Sequence, residues 1–374
     1  MTLVSLQALR GLAALGVVMF HLLPFETKHL AGVSIVPAGF AAGRAGVDLF
    51  FVLSGFLAVW TTQSARGCSG RGGAAHAAQF LLRRVSRIYP TYWFYCLLLL
   101  TVGAAVPGVA SEGAKPDVVA SLLLVPSEAP PLLLVGWTLM FEIYFYVVFA
   151  LLMWAGFGPG PRALWLVLWG GVVLAGHCLL RPARSEAVLD ALLSPLVFEF
   201  LAGCAAAYAC RVVQPRTLSA VAGLLGCVLL VASLAWCETL FSLPWLRVAG
   251  FGAGGALLMI GCVGAEATLR RLLPRWVVGV GDASYSLYLS HLFTLAVVGR
   301  ALSLAATHAP VLATWLLATP SGHAAALVIA VLASLLVAEA SYRYVERPLL
   351  RLTRPLARQP RLAATAVAPT AAAS

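Results

Sequence analysis

The chain has 374 residues, of which 61% are hydrophobic and only 10% charged. A soluble domain carries about 25% charged residues, so this composition excludes a water-soluble globular protein and points to an integral membrane one. The formal net charge of +11 does not imply nucleic acid: no basic stretch is interleaved with base-stacking aromatics, and basic residues collect in the cytoplasmic loops of membrane proteins.

The first apolar stretch contains ALRGLAALGVVMFHLLPFE. No basic region precedes it and no small-residue cleavage site follows it, so it reads as a retained first helix and not as a signal peptide. It carries Arg10 and His21. Eleven residues at about 100° each come within about 20° of three full turns, so both side chains face one way, roughly 16 Å apart along the axis. A fixed charge nearer the cytoplasm would then share a stripe with a titratable imidazole further out. The competing structural reading is a buried histidine bonded to a helix carbonyl and an arginine snorkelling to the interface.

Window reading gives ten spans of roughly 20 residues, at about 5–23, 44–62, 86–106, 134–155, 163–180, 192–210, 217–236, 245–263, 284–303 and 323–345. The apolar piece Val118–Val125 is too short to span and is expected to pack at the outer surface or re-enter. An even number of spans puts both termini on one side. Arginine placement makes that side the cytoplasm: Arg66, Arg71, Arg83, Arg84, Arg87, Arg162, Arg211, Arg216, Arg270, Arg271, Arg275 and the tail from Arg347 to Arg361 fall inside, against Lys28, Lys115, Arg181 and Arg184 outside. The expected organisation is one all-α helical bundle over 1–350. A basic, Ala-rich cytoplasmic tail over 351–374 is expected to be disordered, most clearly at Ala363–Ser374. The eight cysteines form no CxxC pair and lie mostly in apolar runs; they suggest neither a disulfide framework nor a metal site.

Ionisable groups inside spans are costly in hydrocarbon and mark candidate sites. In the second span Asp48 can steady an imidazole, as carboxylates do beside catalytic histidines, or pair with Arg44 at i, i+4. Gly43, Gly46, Gly55 and Ser54 permit close helix packing there. At the inner end of the third helix, Arg83, Arg84 and Arg87 share roughly one face. Guanidinium forks suit phosphates, but on charge alone simple positive-inside anchoring is the better explanation. In the fourth span Glu142 sits among Trp137, Phe141, Tyr144, Phe145 and Tyr146, where a lone carboxylate needs a cation, a proton or a water-filled cavity. Glu199 raises the same question in the sixth span, as a polar partner of open role. In the ninth, Asp282 reads as an N-cap, and Tyr288 and His291, three apart, share a face. No Walker A loop, dinucleotide fingerprint, HExxH or nucleophile elbow occurs, so any chemistry falls to His, Glu, Asp and Arg within the bundle.

Six stretches, SLQALRGLAALGVVMFH, GRAGVDLFFVLSGFL, RRVSRIYPTYW, WTLMFEIYFY, GDASYSLYLSHL and YRYVERPL, occur in the order and spacing of one family. On them the chain resembles the membrane-bound acyltransferase-3 family, which acylates glycans, over residues 3–350. The resemblance implies a multi-pass protein of the cell inner (plasma) membrane. It implies acetyl-CoA, or another acyl-CoA, as cytoplasmic donor, a hydroxyl of a glycan or lipid-linked glycan as acceptor, and no metal. It makes His21 the catalytic histidine and carries Glu142, Arg84, Arg87 and His291 over as motif residues. The mechanism expected from the residues themselves has Asp48 or Glu142 as catalytic partner steadying the imidazolium and Arg10, Arg84 and Arg87 holding the CoA phosphates. His291, Tyr288, Trp137 and Arg44 are then candidates for binding the acceptor. A competing class is a flippase or exporter of a glycan or small acid. Transporters often show repeated halves or broken helices, and no repeat is visible here.

Overall fold

The computed structural model describes residues 3–30, 34–62, 71–105, 115–155, 159–180, 186–212, 216–309, 311, 314–316 and 319–353. Among them the chain is helical, with no strand. Ten helical stretches are long and apolar enough to cross a membrane, one at each place the hydropathy pattern predicts.

In chain order, α1 (Val4–His29) is followed by a 3-10 segment (Ala38–Ala45) that leads into α2 (Gly46–Thr62). Next come α3 (Arg71–Ala105), the short α4 (Val118–Leu123), α5 (Gly136–Trp154), α6 (Pro159–Leu180), α7 (Ala187–Leu192), α8 (Val197–Val212) and α9 (Arg216–Ala235). After α10 (Cys237–Ser242), α11 (Pro244–Arg247) passes through a π-helical turn (Val248–Gly252) into α12 (Ala253–Gly264). The short α13 (Glu266–Leu272) and α14 (Arg275–Asp282) precede α15 (Ser284–His308). Finally α16 (Pro320–Ser341) continues through a second π turn (Tyr342–Glu346) into α17 (Arg347–Thr353). The remainder of the tail expected to be disordered lies outside the described residues, as do Arg66, Arg181 and Arg184.

Helix α1 is central: it packs against α2, α14, α15 and α16. Its N-terminus is capped from a distance. The Glu266 carboxylate of α13 accepts the Val4 and Ser5 backbone N–H groups at 2.8 and 3.1 Å and the Ser5 hydroxyl at 2.6 Å. These are donors that an isolated helix end leaves unsatisfied. Burial works against ionisation of Glu266, but these bonds and Arg270 outweigh it and hold the carboxyl below its usual value.

Small residues set the closest approach in the bundle. A Cβ on Gly55 of α2 would lie 1.9 Å from the Phe200 carbonyl oxygen, and one on Gly203 of α8 would lie 1.9 Å from that of Val52. Only glycine fits at either place, so the two backbones touch, as small residues allow in membranes. Around this seam Phe51, Phe56, Phe145, Phe149 and Phe200 are fully buried. Large apolar side chains of α6, α9 and α16, such as Val167, Leu224 and Leu336, are exposed, as lipid-facing residues are.

Three details depart from the sequence reading. Helix α3 starts well before residue 86. At 35 residues it is about 52 Å long, against about 30 Å of hydrocarbon. Its first turns are not apolar, so a hydropathy window misses them. Asp282 is not the N-cap of α15; it ends α14 and accepts the Gln7 side-chain N–H at 2.7 Å. The piece at Val118–Val125 forms α4, capped by Asp117 and stopped by left-handed Leu124. Its last carbonyls accept bonds from Tyr92, Trp93 and Tyr89 of α3, so α4 packs on α3, a partner that the sequence did not indicate.

Candidate active site

A buried cavity of about 110 Å³ lies where α1, α2, α3, α5 and α15 meet. Arg10 enters from α1, Ser54 from α2, Arg84 and Arg87 from α3, Thr138, Glu142 and Tyr146 from α5, and Ser284, Tyr285 and Tyr288 from α15. The helical period explains which residues reach it. On α3 the spacing 84, 87, 88 faces inward, and Arg83, which the sequence grouped with them, is exposed and bonds to the Gln79 carbonyl at 3.3 Å.

Several polar groups of the cavity are held by hydrogen bonds. Glu142 Oε1 accepts from the Ser54 hydroxyl at 2.8 Å and the Tyr146 hydroxyl at 2.5 Å. Arg84 donates to the Leu57 carbonyl and the Thr61 hydroxyl, and its guanidinium lies 4.9 Å from the Tyr146 ring centre. Glu346, on the π turn after α16, is buried, accepts from the Ser286 hydroxyl at 2.7 Å, and acts electrostatically on Arg87 and Arg10. The sequence reading passed over Glu346, although it stands in the YRYVERPL stretch. It sits at the end of an apolar run beside basic residues, and only the wider π turn shows that it points inward. Three guanidinium groups line the cavity with Glu142, a formal excess of two positive charges that the nearby Glu346 reduces to one, in a space suited to anions.

His21 and His291 meet beside this cavity. Their ring centroids are 4.9 Å apart, and His291 Nε2 is 3.3 Å from His21 Nδ1. His21 Nδ1 also lies 2.8 Å from the Val17 carbonyl, and His291 Nδ1 lies 3.2 Å from the Leu287 carbonyl. Tyr288 joins the pair to the cavity. It lines the cavity, its ring is 6.0 Å from that of His291, and its hydroxyl shares a 2.7 Å bond with Thr138. Arg10 and His21 thus both turn toward α15, as their spacing predicts.

Three expected residues stand elsewhere. Asp48 does not line the cavity, although Val47, Phe50, Phe51 and Ser54 of the same helix do. Arg247 holds its carboxylate at 2.7 and 3.2 Å. It therefore pairs with neither Arg44 nor an imidazole. The sequence reading missed Arg247 because the pair spans 199 positions. Glu199 is fully buried beside this pair and interacts with both Asp48 and Arg247. Arg44 ion-pairs with Glu238 at 2.9 Å and lies 3.9 Å over the Phe241 ring. Trp137 lines a separate cavity of about 340 Å³, with Tyr92, Ser121, Glu128 and Asp190. Among the described residues no group of three or more His, Cys, Asp or Glu side chains could hold a metal.

Comparison with known proteins agrees with the six sequence stretches. The acyltransferase domain that defines the acyltransferase-3 family matches residues 3–339. The exopolysaccharide production protein ExoZ of Rhizobium meliloti is 34% identical over 84% of this chain and 92% of its own length. The peptidoglycan O-acetyltransferase OatA of Listeria monocytogenes is 24% identical over 92% of this chain and 55% of its own length. The acyltransferase MdmB of Streptomyces mycarofaciens is 29% identical over 39% of this chain and 38% of its own length. No solved structure matches. The chain belongs to the acyltransferase-3 family and is a multi-pass membrane acyltransferase.

Proposed function

We propose that this enzyme moves an acetyl group from cytoplasmic acetyl-CoA to a hydroxyl of an exported or cell-surface polysaccharide, at the inner membrane. The observation that carries the reading is a cationic buried cavity joined through Tyr288 to a pair of imidazoles. The names of ExoZ and OatA supply the acceptor class. Arg10, Arg84 and Arg87 face the phosphates of the donor. The cavity is smaller than the roughly 300–1,000 Å³ of ordinary small-molecule sites, so it takes the donor in part while the rest stays outside.

The thioester carbonyl is already activated, and the sugar hydroxyl is the weak partner. As its oxygen bonds to the carbonyl carbon, its proton passes to His21. The C–S bond then breaks, and the leaving thiolate takes that proton to give free CoA thiol. General-base help of this kind contributes about 10²–10⁴-fold. In the two-step form, His21 attacks the carbonyl carbon and the C–S bond breaks to release thiolate; the sugar oxygen then displaces the imidazole, and the hydroxyl proton, which the acylated nitrogen cannot take, passes by way of water to the thiolate. Glu142, fixed by Ser54 and Tyr146, sets the charge of the cavity around the donor.

The test replaces His21 with Ala in protein whose membrane insertion has been verified, and follows labelled acetyl groups from acetyl-CoA into polysaccharide. The expected result is a loss of at least about 10²-fold. Transfer near the wild-type rate would remove His21 from the mechanism. Charge reversal at Arg84 and Arg87 should raise the donor KM; an unchanged donor KM would reduce both to topology signals.

A further inference from the structure

We infer that His291 is a positioning residue that fixes which nitrogen of His21 reacts, and that the reacting nitrogen is Nε2. The inference rests on the reading of His21 as base or acyl carrier and adds the atom and the device that selects it.

A carbonyl oxygen only accepts, so a ring nitrogen at hydrogen-bond distance from one carries the proton. His291 Nδ1 is 3.2 Å from the Leu287 carbonyl, one helical turn back, so the His291 proton sits on Nδ1. Its Nε2 then presents a lone pair, and that lone pair faces His21 Nδ1 at 3.3 Å. His21 Nδ1 is 2.8 Å from the Val17 carbonyl. Two acceptors therefore converge on one nitrogen, and the only neutral tautomer that satisfies both has its proton there. The His21 lone pair is left on Nε2, on the far side of the ring. The identity of the other ring nitrogen's partner sets the reactive one wherever histidine acts as a base.

The same geometry serves the reaction. When Nε2 takes the hydroxyl proton, or the acetyl group in the two-step form, the ring becomes cationic. Its Nδ1–H then donates to the Val17 carbonyl and to the His291 lone pair. No carboxylate is needed at that position, which agrees with Asp48 being held by Arg247 and Glu142 by Ser54 and Tyr146. His291 is fully buried, so it is set to act through His21 and not on the sugar.

The tests use the full-length enzyme in lipid nanodiscs. Nitrogen-15 NMR of histidine-labelled protein, with the His21 signals assigned by comparison with His21→Ala, reads the tautomer directly and needs no substrate. The Nδ1–H form is expected for His21; an Nε2–H form overturns the inference. His291→Phe keeps a ring but removes the acceptor. It should lower kcat about tenfold or more, with donor and acceptor KM unchanged and a mixed tautomer at His21. His291→Gln, whose amide oxygen can accept in place of Nε2, should recover most of that loss. A wild-type kcat in His291→Phe, or a raised acceptor KM without a change in kcat, overturns the inference. An Nδ1–H tautomer in the wild type alongside full transfer by His21→Ala would leave the positioning geometry standing and overturn only the role of His21.

Discussion

At the scale of single residues, apolar surroundings make ionisable groups conspicuous. That is why Arg10, His21, Glu142, Tyr288 and His291 were legible in the sequence as candidates: each stands out in a span that hydrocarbon would otherwise keep apolar. What the sequence does not reveal is which partner each has found. Asp48 shows the difference. Beside Arg44 and one span away from His21, it read as a catalytic carboxylate, yet its partner is Arg247 on α11. The Asp48 side chain is fully buried and that of Arg247 is 14% exposed, so breaking the pair leaves a charge stranded, at about 3–5 kcal/mol. Asp48→Asn and Arg247→Met are each expected to lower thermal stability sharply in detergent, while enzyme that remains folded keeps its kcat and both KM values. A variant at Asp48 with full stability and a collapsed kcat would return this carboxylate to the chemistry.

At the scale of elements, hydropathy located every span but gave neither their full lengths nor their contacts. Helix α3 was cut short because its first turns are polar, and the α2–α8 contact follows from two glycines 148 positions apart, a relation that no local pattern carries. Gly203→Ala should destabilise the bundle by about 1–3 kcal/mol or more, because the added methyl meets backbone at 1.9 Å and backbone cannot rotate away. The control is Gly171→Ala on α6, where a Cβ meets nothing within 4 Å and alanine favours the helix by about 0.5–1 kcal/mol. Equal melting temperatures for the two variants would contradict the seam. Glu266 supplies a second test at this scale. Its carboxyl is held below the usual value of 4.5 by the bonds it accepts at the start of α1, so the ionised form stabilises the fold. That stability is complete above the unfolded value and is lost as pH falls through the folded one. Glu266→Gln should melt lower than wild type at neutral pH, by the equivalent of about 1 kcal/mol, and the two curves should converge in acid. A difference independent of pH would mean that shape and not charge anchors α1.

At the scale of the whole molecule, the bilayer does most of the specifying. It demands helices, sets their lengths, and makes the fold class readable from composition alone. It does not fix which helices touch, so the meeting of α1 with α15, and of His21 with His291, depends on packing that composition does not encode. Sidedness is the remaining global property, and it decides whether the proposed cytoplasmic thioester can reach the cationic cavity. Among the described residues ten helices are long and apolar enough to span, and from the arginine-rich connections, including α13 with Arg270 and Arg271, we propose by the positive-inside rule that both termini face the cytoplasm. On that proposal the segment joining α4 to α5, which carries Ser127 and Glu128 and borders the Trp137 cavity, is expected outside. In a background with the native cysteines replaced, Ser127→Cys should react with a membrane-impermeant maleimide in spheroplasts, whereas Thr268→Cys should react only after permeabilisation. The reverse pattern would put the arginine-lined cavity on the wrong side for a cytoplasmic donor, and the proposed direction of acyl transfer would fail with it.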